Sequence, residues 1–146
     1  MRLASALVLA MLAAAPAAGA SPAALEVTRA WSRPAAAGTN GVGYLTLVNH
    51  GRKTDALVRV ESPLAARADM HAGSMAGGVM SMQTVDRVQV PAGGSAQFAP
   101  GGYHIMLMGL KKPLAVGDKV PATLAFASGA HLKVAFTVGL TAPTSD

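Results

Sequence analysis

Pro100-Gly101-Gly102-Tyr103-His104-Ile105-Met106-Leu107-Met108-Gly109-Leu110-Lys111-Lys112-Pro113-Leu114 is the stretch on which the reading of this chain turns. Pro100-Gly101-Gly102 is a turn signal and Pro113 a stop, so Tyr103 to Met108 reads as one short strand. Strand side chains alternate between faces, which puts Tyr103, Ile105 and Leu107 on one face and His104, Met106 and Met108 on the other. The first face is apolar and belongs to a core. The second carries an imidazole and two thioethers, a poor composition for either a core or a solvated surface. At roughly 3.3 Å per residue, His104 and Met106 stand about 7 Å apart at their backbones, close enough to lean toward one ion. The competing reading makes both methionines gap-filling core and His104 an edge histidine.

The rest of the chain alternates in the same way. Strands are predicted at Leu25–Arg33, Gly43–Val48, Ala56–Glu61, Ala66–His71, Val79–Thr84, Arg87–Val90, Ser95–Phe98, Lys119–Phe126 and Leu132–Val138, separated by Gly/Pro/Asn turns. No segment carries a long apolar stripe of helical period. Many short strands at regular spacing indicate an all-β single domain, a β-sandwich or Greek-key barrel.

Ahead of the first strand, Arg2, the apolar run Leu3–Ala15 and the small-residue site Ala18-Gly19-Ala20 have the form of a secretory signal peptide over residues 1–20. The run is short for a membrane span, so no stable membrane insertion is expected after cleavage. The mature domain, residues 21–146, is then periplasmic and large enough for one core. With no cysteine among the 146 residues, the chain offers no disulfide, lipid-bearing thiol or thiolate ligand.

Twelve Lys and Arg against seven Asp and Glu give a formal charge of +5, but the bases are scattered. One Trp, two Tyr and three Phe do not interleave with them as a nucleic-acid platform requires, so nucleic acid is not an expected partner. No nucleophile elbow, His-Glu-x-x-His helix, phosphate-cradling loop or carboxylate pair is present, and no enzyme is expected.

A second cluster of soft donors lies upstream of the Tyr103 strand. Met70, His71, Met75, Met80 and Met82 crowd into one short stretch, whose middle reads as a loop because of Gly73, Gly77 and Gly78. Thioethers and imidazoles suit Cu(I) and are poor ligands for magnesium or calcium. Zinc usually recruits Cys, His or carboxylate, and a blue-copper centre requires a cysteine. The competing reading is a flexible Met-rich surface patch.

His71, ten residues, Met82, twenty-one residues, His104, one residue and Met106 together resemble the His-x10-Met-x21-His-x-Met signature of the periplasmic copper chaperones called PCu(A)C. Ala30-Trp31-Ser32-Arg33, Gly43-Tyr44-Leu45-Thr46, Ser62-Pro63, Gly78-Val79-Met80-Ser81-Met82, Pro91-Ala92-Gly93-Gly94 and Ala99 to Leu110 resemble family blocks in family order. The resemblance implies a cupredoxin-like β-barrel with one exposed site of His71, Met82, His104 and Met106 holding one Cu(I) per chain. It further implies delivery toward the CuA centre of cytochrome c oxidase, alongside a Sco-type thiol protein. The chain departs from the pattern at Ala72-Gly73, where family members commonly show Glu-Met after the first histidine, leaving Met70, Met75 and Met80 as candidate auxiliary donors. The tail Thr141–Asp146 has no His or Met, so a second, Cu(II)-binding site is not expected. His50 and His131 match no family ligand and read as surface residues. A copper-buffering protein, and a metal-free interaction module using its methionine surface, are the alternative functions.

Overall fold

The computed structural model describes residues 24–144, and the signal-peptide expectation for residues 1–20 lies outside them. Among the described residues the chain forms ten strands and no helix. They are β1 (Leu25–Ser32), β2 (Gly41–Asn49), β3 (Asp55–Glu61), β4 (Ala65–Ala76), β5 (Val79–Val85), β6 (Val88–Val90), β7 (Ser95–Phe98), β8 (Tyr103–Leu110), β9 (Lys119–Phe126) and β10 (His131–Val138). All join one sheet in the order β5-β4-β8-β7-β2-β1-β10-β9-β3-β6, with an additional β8–β2 pairing.

The sheet curls around one core. Leu45 and Leu47 of β2, Leu57 of β3, Ile105 and Leu107 of β8, Leu124 of β9 and Phe136 of β10 are all buried in one apolar cluster. Each such side chain contributes about 1.5–3 kcal/mol through removal from water. Asn49, buried at the end of β2, donates through Nδ2 to Lys53 O at 2.8 Å and to Val90 O at 3.0 Å. It thereby ties the β6 edge back to β2 with its own polar atoms satisfied.

Two local features of the pairing set how side chains face along β4 and β1. Residues 73–78, expected as a loop, instead continue β4 into a long hairpin with β5 in the register Gly73↔Met82, Met75↔Met80 and Ala76↔Val79. Only Gly77 and Gly78 turn, at φ of 59° and 78°, the two positive values that a type I′ hairpin turn demands. In β1 the register slips between Thr28↔Thr46 and Trp31↔Tyr44, so the strand carries one extra residue there, with Arg29 at φ 52°. Without that bulge Ala30 would stand opposite Tyr44; with it, Trp31 does.

Candidate metal centre

β8 is the organising strand, as its sequence suggested. It pairs with β2 on one side, in the register Val42↔Met106, and with β4 on the other, where His71↔His104 and Asp69↔Met106 are directly opposite. β5 extends the sheet beyond β4 and places Thr84 opposite His71 and Met82 opposite Gly73. Period-two alternation therefore collects His71, Gly73, Met80, Met82, His104 and Met106 on one face of three adjacent strands. Ile105 and Leu107 point the other way, fully buried, as expected. Tyr103, expected in the core with them, is 39% exposed and only edges the core, packing on Phe98 at 5.7 Å between ring centroids.

The two imidazoles meet edge to face, 5.4 Å between centroids at 86°. His104 is buried, and its Nδ1 lies 3.2 Å from the Gly102 carbonyl, a contact that requires the proton on Nδ1. Its Nε2 is then a free lone pair, and it is buried without a hydrogen-bond partner; so is Nδ1 of His71. Leaving such an atom unsatisfied costs about 1–3 kcal/mol. Two such atoms on facing rings fit a site built to take an electrophile. His104 and Met106 open onto a cleft of about 300 Å³, also lined by Met80, Met82, Val42 and Tyr44. One wall is the Pro100–Gly102 loop, held against β4 by the Gly73 N–H, which donates to Gly102 O at 3.1 Å. A Cβ at Gly73 would stand 3.2 Å from Gly101 O, tighter than ordinary contact, so glycine lets the loop approach this closely without a shift. Among the described residues no three His, Cys, Asp or Glu converge, so the donors available here are two imidazoles and several thioethers, a soft set.

The three candidate auxiliary methionines part company. Met70, opposite Ile105, is buried in the core at 4% exposure, on the face away from His71, and the expected auxiliary role is corrected accordingly. Met80 lines the cleft beside Met82. Met75 stands opposite Met80 near the hairpin tip and is 66% exposed. Met108 shares the face of Met106, but its sulfur is engaged by Arg67, whose Nη2 lies 3.1 Å from Sδ and 2.9 Å from Asp69 Oδ2. His50 is at the surface, its Nε2 within hydrogen-bond distance of Glu26 Oε2 at 2.6 Å, and His131 is exposed at the start of β10.

Sequence reasoning missed two neighbours of the site. Asp69 sits two residues before His71 on the same face, and period-two counting alone would have found it. Arg33 lines the cleft with its guanidinium carbon 5.8 Å from the ring centroids of both Trp31 and Tyr44. No sequence signal reports that placement, because it depends on the β1 bulge.

Residues 25–138 match the family model described as "Putative lipoprotein LpqE-like". The "Putative lipoprotein Lxx21020" of Leifsonia xyli subsp. xyli (strain CTCB07) is 36% identical over 115 residues, 78% of this chain and 69% of that protein. Among solved structures, the apo PCuAC domain from PmoF1 superposes with a TM-score of 0.68 at 26% identity, over 82% of this chain and 96% of that one. The solution structure of the Cu(I) form of DR1885 from Deinococcus radiodurans gives a TM-score of 0.58 at 38% identity, over 79% of each chain. The likeness thus spans the whole barrel rather than the donor residues alone, and the chain belongs to the LpqE-like family, with the fold of a PCuAC domain.

Proposed function

We propose that this protein is a periplasmic Cu(I) metallochaperone, carrying one Cu(I) per chain on His71, Met82, His104 and Met106 and delivering it toward the CuA site of cytochrome c oxidase. The observation that carries the metal reading is the pair of buried, unpartnered imidazole nitrogens, His104 Nε2 and His71 Nδ1, on one face with cleft-lining thioethers. The 38% identical relative solved in its Cu(I) form supports the choice of metal. Cu(I) favours soft donors, and thioethers, unlike thiolates, are not lost to disulfide formation in an oxidising compartment. Four protein donors leave no open position for a substrate, so the site holds metal rather than catalysing. The recipient is the CuA subunit itself or a Sco-type thiol protein. Residues 1–20 direct export, and the mature chain begins at Ser21.

Anaerobic Cu(I) competition titration of protein from a periplasmic extract, its mass starting at Ser21, should give one equivalent per chain. His71→Ala/His104→Ala should abolish that uptake, and undiminished uptake would refute the site. A chaperone matters most when copper is scarce, because mass action loads the acceptor when copper is plentiful. Deleting the gene should therefore lower oxidase activity in copper-poor medium, and added copper should restore it. Normal oxidase at low copper with poor growth at high copper would instead identify a copper buffer.

A further inference from the structure

All the donors proposed for copper are neutral, yet the cleft that Met82, His104 and Met106 line carries one fixed positive charge. Arg33, just beyond the end of β1, lines it together with Met80, Met82, His104 and Met106. Its guanidinium rests over two rings that themselves pack 4.9 Å apart at 37°, those of Trp31 and Tyr44. Among the described residues no carboxylate pairs with it. This seat is built rather than incidental. The one-residue bulge around Arg29 is what turns Trp31 onto the ligand face opposite Tyr44, and the two tilted rings then hold Arg33 at the wall of the cleft.

A cation there does nothing for a bound Cu(I), which it repels. It favours an anion entering the cleft. Of the anionic side chains, a carboxylate is a hard donor with little preference for Cu(I), whereas a thiolate is the soft one and a stronger ligand than a thioether. A neighbouring guanidinium also favours the thiolate over the thiol. We propose that Arg33 is the docking point for the cysteine thiolate of a copper-receiving protein, which enters the cleft and displaces a thioether. In that exchange the thiol proton goes to solvent, a Cu–S(thiolate) bond forms and a Cu–S(Met) bond breaks, and copper stays Cu(I). The assignment rests on the proposed Cu(I) function and adds the residue of this chain that receives the recipient's thiolate.

The alternative is that Arg33 merely shields the aromatic pair from water with its aliphatic stem. Trp31 is the only tryptophan, so its fluorescence reports on the seat directly. The metal-free protein would be titrated with a reduced Cys-x-x-x-Cys peptide and with its Ser and Asp twins. The Cys peptide should give a saturable change in Trp31 emission that is absent with the Ser twin, lost in Arg33→Gln and retained in Arg33→Lys. In the Cu(I)-loaded protein, Arg33→Gln should slow stopped-flow transfer to the Cys peptide by about 10-fold, at the low end of electrostatic steering effects, and leave Cu(I) affinity within about 2-fold. Transfer from Arg33→Gln at the wild-type rate, or an equal response to the Ser twin, overturns the proposal. An Asp twin that competes as well as the Cys peptide overturns the thiolate assignment. Failure of the wild-type protein to take up Cu(I) would sink the proposed function, and the metal-free titration still decides whether Arg33 receives an anionic thiolate.

Discussion

Replacing each of three methionines by leucine in turn tests whether strand alternation sorts donor from core here. Met70, Met106 and Met108 lie within three rungs of one another on the β4–β8 ladder, yet the structure gives each sulfur a different fate. Met70 is buried in the core, Met106 opens on the cleft, and Met108 accepts the Arg67 guanidinium. Met→Leu nearly conserves volume, so each change should cost less than about 1.5 kcal/mol of stability. Met70→Ala sets the scale for real packing loss: three buried heavy atoms at about 0.8 kcal/mol each, plus the cavity left behind, give about 2–5 kcal/mol. Metal binding should separate the series. Losing an outer-shell partner typically costs 10–100-fold in affinity, so losing a donor at Met106 should cost at least about 10-fold, equivalent to about 1.4 kcal/mol. Met70→Leu should leave Cu(I) affinity unchanged, and Met108→Leu should change it by only a few-fold. Anaerobic competition titration reads the affinity, and urea denaturation of the metal-free variants reads the stability. If Met70→Leu weakens binding as much as Met106→Leu, the face assignment is wrong. If Met106→Leu binds like the wild type, the donor assignment is wrong.

Gly73→Ala would bring a methyl group to 3.2 Å from Gly101 O and strain the Gly73–Gly102 hydrogen bond, costing about 1 kcal/mol. Because His104 Nδ1 is anchored on the same Gly102 carbonyl, Cu(I) affinity should fall too; a titration unchanged from wild type would show that the loop does not position His104. At the far end of the barrel, burial pulls the Asp55 carboxyl up, but the Ser128 hydroxyl and the backbone N–H groups of Ala56 and Ser128 outweigh it and hold its pKa below the ordinary value. A lowered folded-state pKa contributes stability above the unfolded-state value that is lost as pH falls through the folded one, so Asp55→Asn should cost up to about 1 kcal/mol near neutrality, allowing for partial exposure, and close on the wild type in acid. Urea midpoints at neutral and acid pH that differ by the same amount would contradict this.

Much of the barrel is legible because strand alternation is a local signal. Ten runs of alternating or apolar residues became ten strands, most within a residue or two of their predicted bounds, with β4 and β8 running on past theirs. The misreadings have specific causes. Gly73 resembles Gly77 and Gly78 as loop chemistry, but the first glycine serves a close backbone approach and only the other two make the turn. Counting soft residues along the chain groups Met70 with His71, which mixes the two faces of a strand. The alternation applied to His104 and Met106, if carried to β4, separates Met70 from His71 at once. The seat of Arg33 is out of reach, because one extra residue in β1 inverts the facing of Trp31 without marking the sequence. The pairing of β4 with β8 is equally hidden, because it joins residues more than thirty positions apart, such as His71 and His104.

The donors divide by rigidity in a way that bears on holding and releasing a metal. His104 and Met106 stand on β8, hydrogen-bonded to β4 on one side and to β2 on the other, and His104 is buried. Met82 stands on β5, the edge strand of the sheet, and is 57% exposed. Groups on a doubly paired strand are pre-organised, so binding costs them little ordering entropy, whereas an edge hairpin opens locally at low free energy. Met75, Val79 and Met80 are exposed around the same hairpin, and such an apolar group at the rim of a site is what a contacting protein would cover. Under the proposed function, a recipient meets the hairpin first, and its thiolate reaches the cleft beside the most exposed donor. The thioether displaced is then Met82, while His104 and Met106 keep the metal in place until the second recipient ligand arrives. A carrier built the other way round, with the imidazole on the edge and the thioether in the middle of the sheet, would have to open its fixed half to let the metal go.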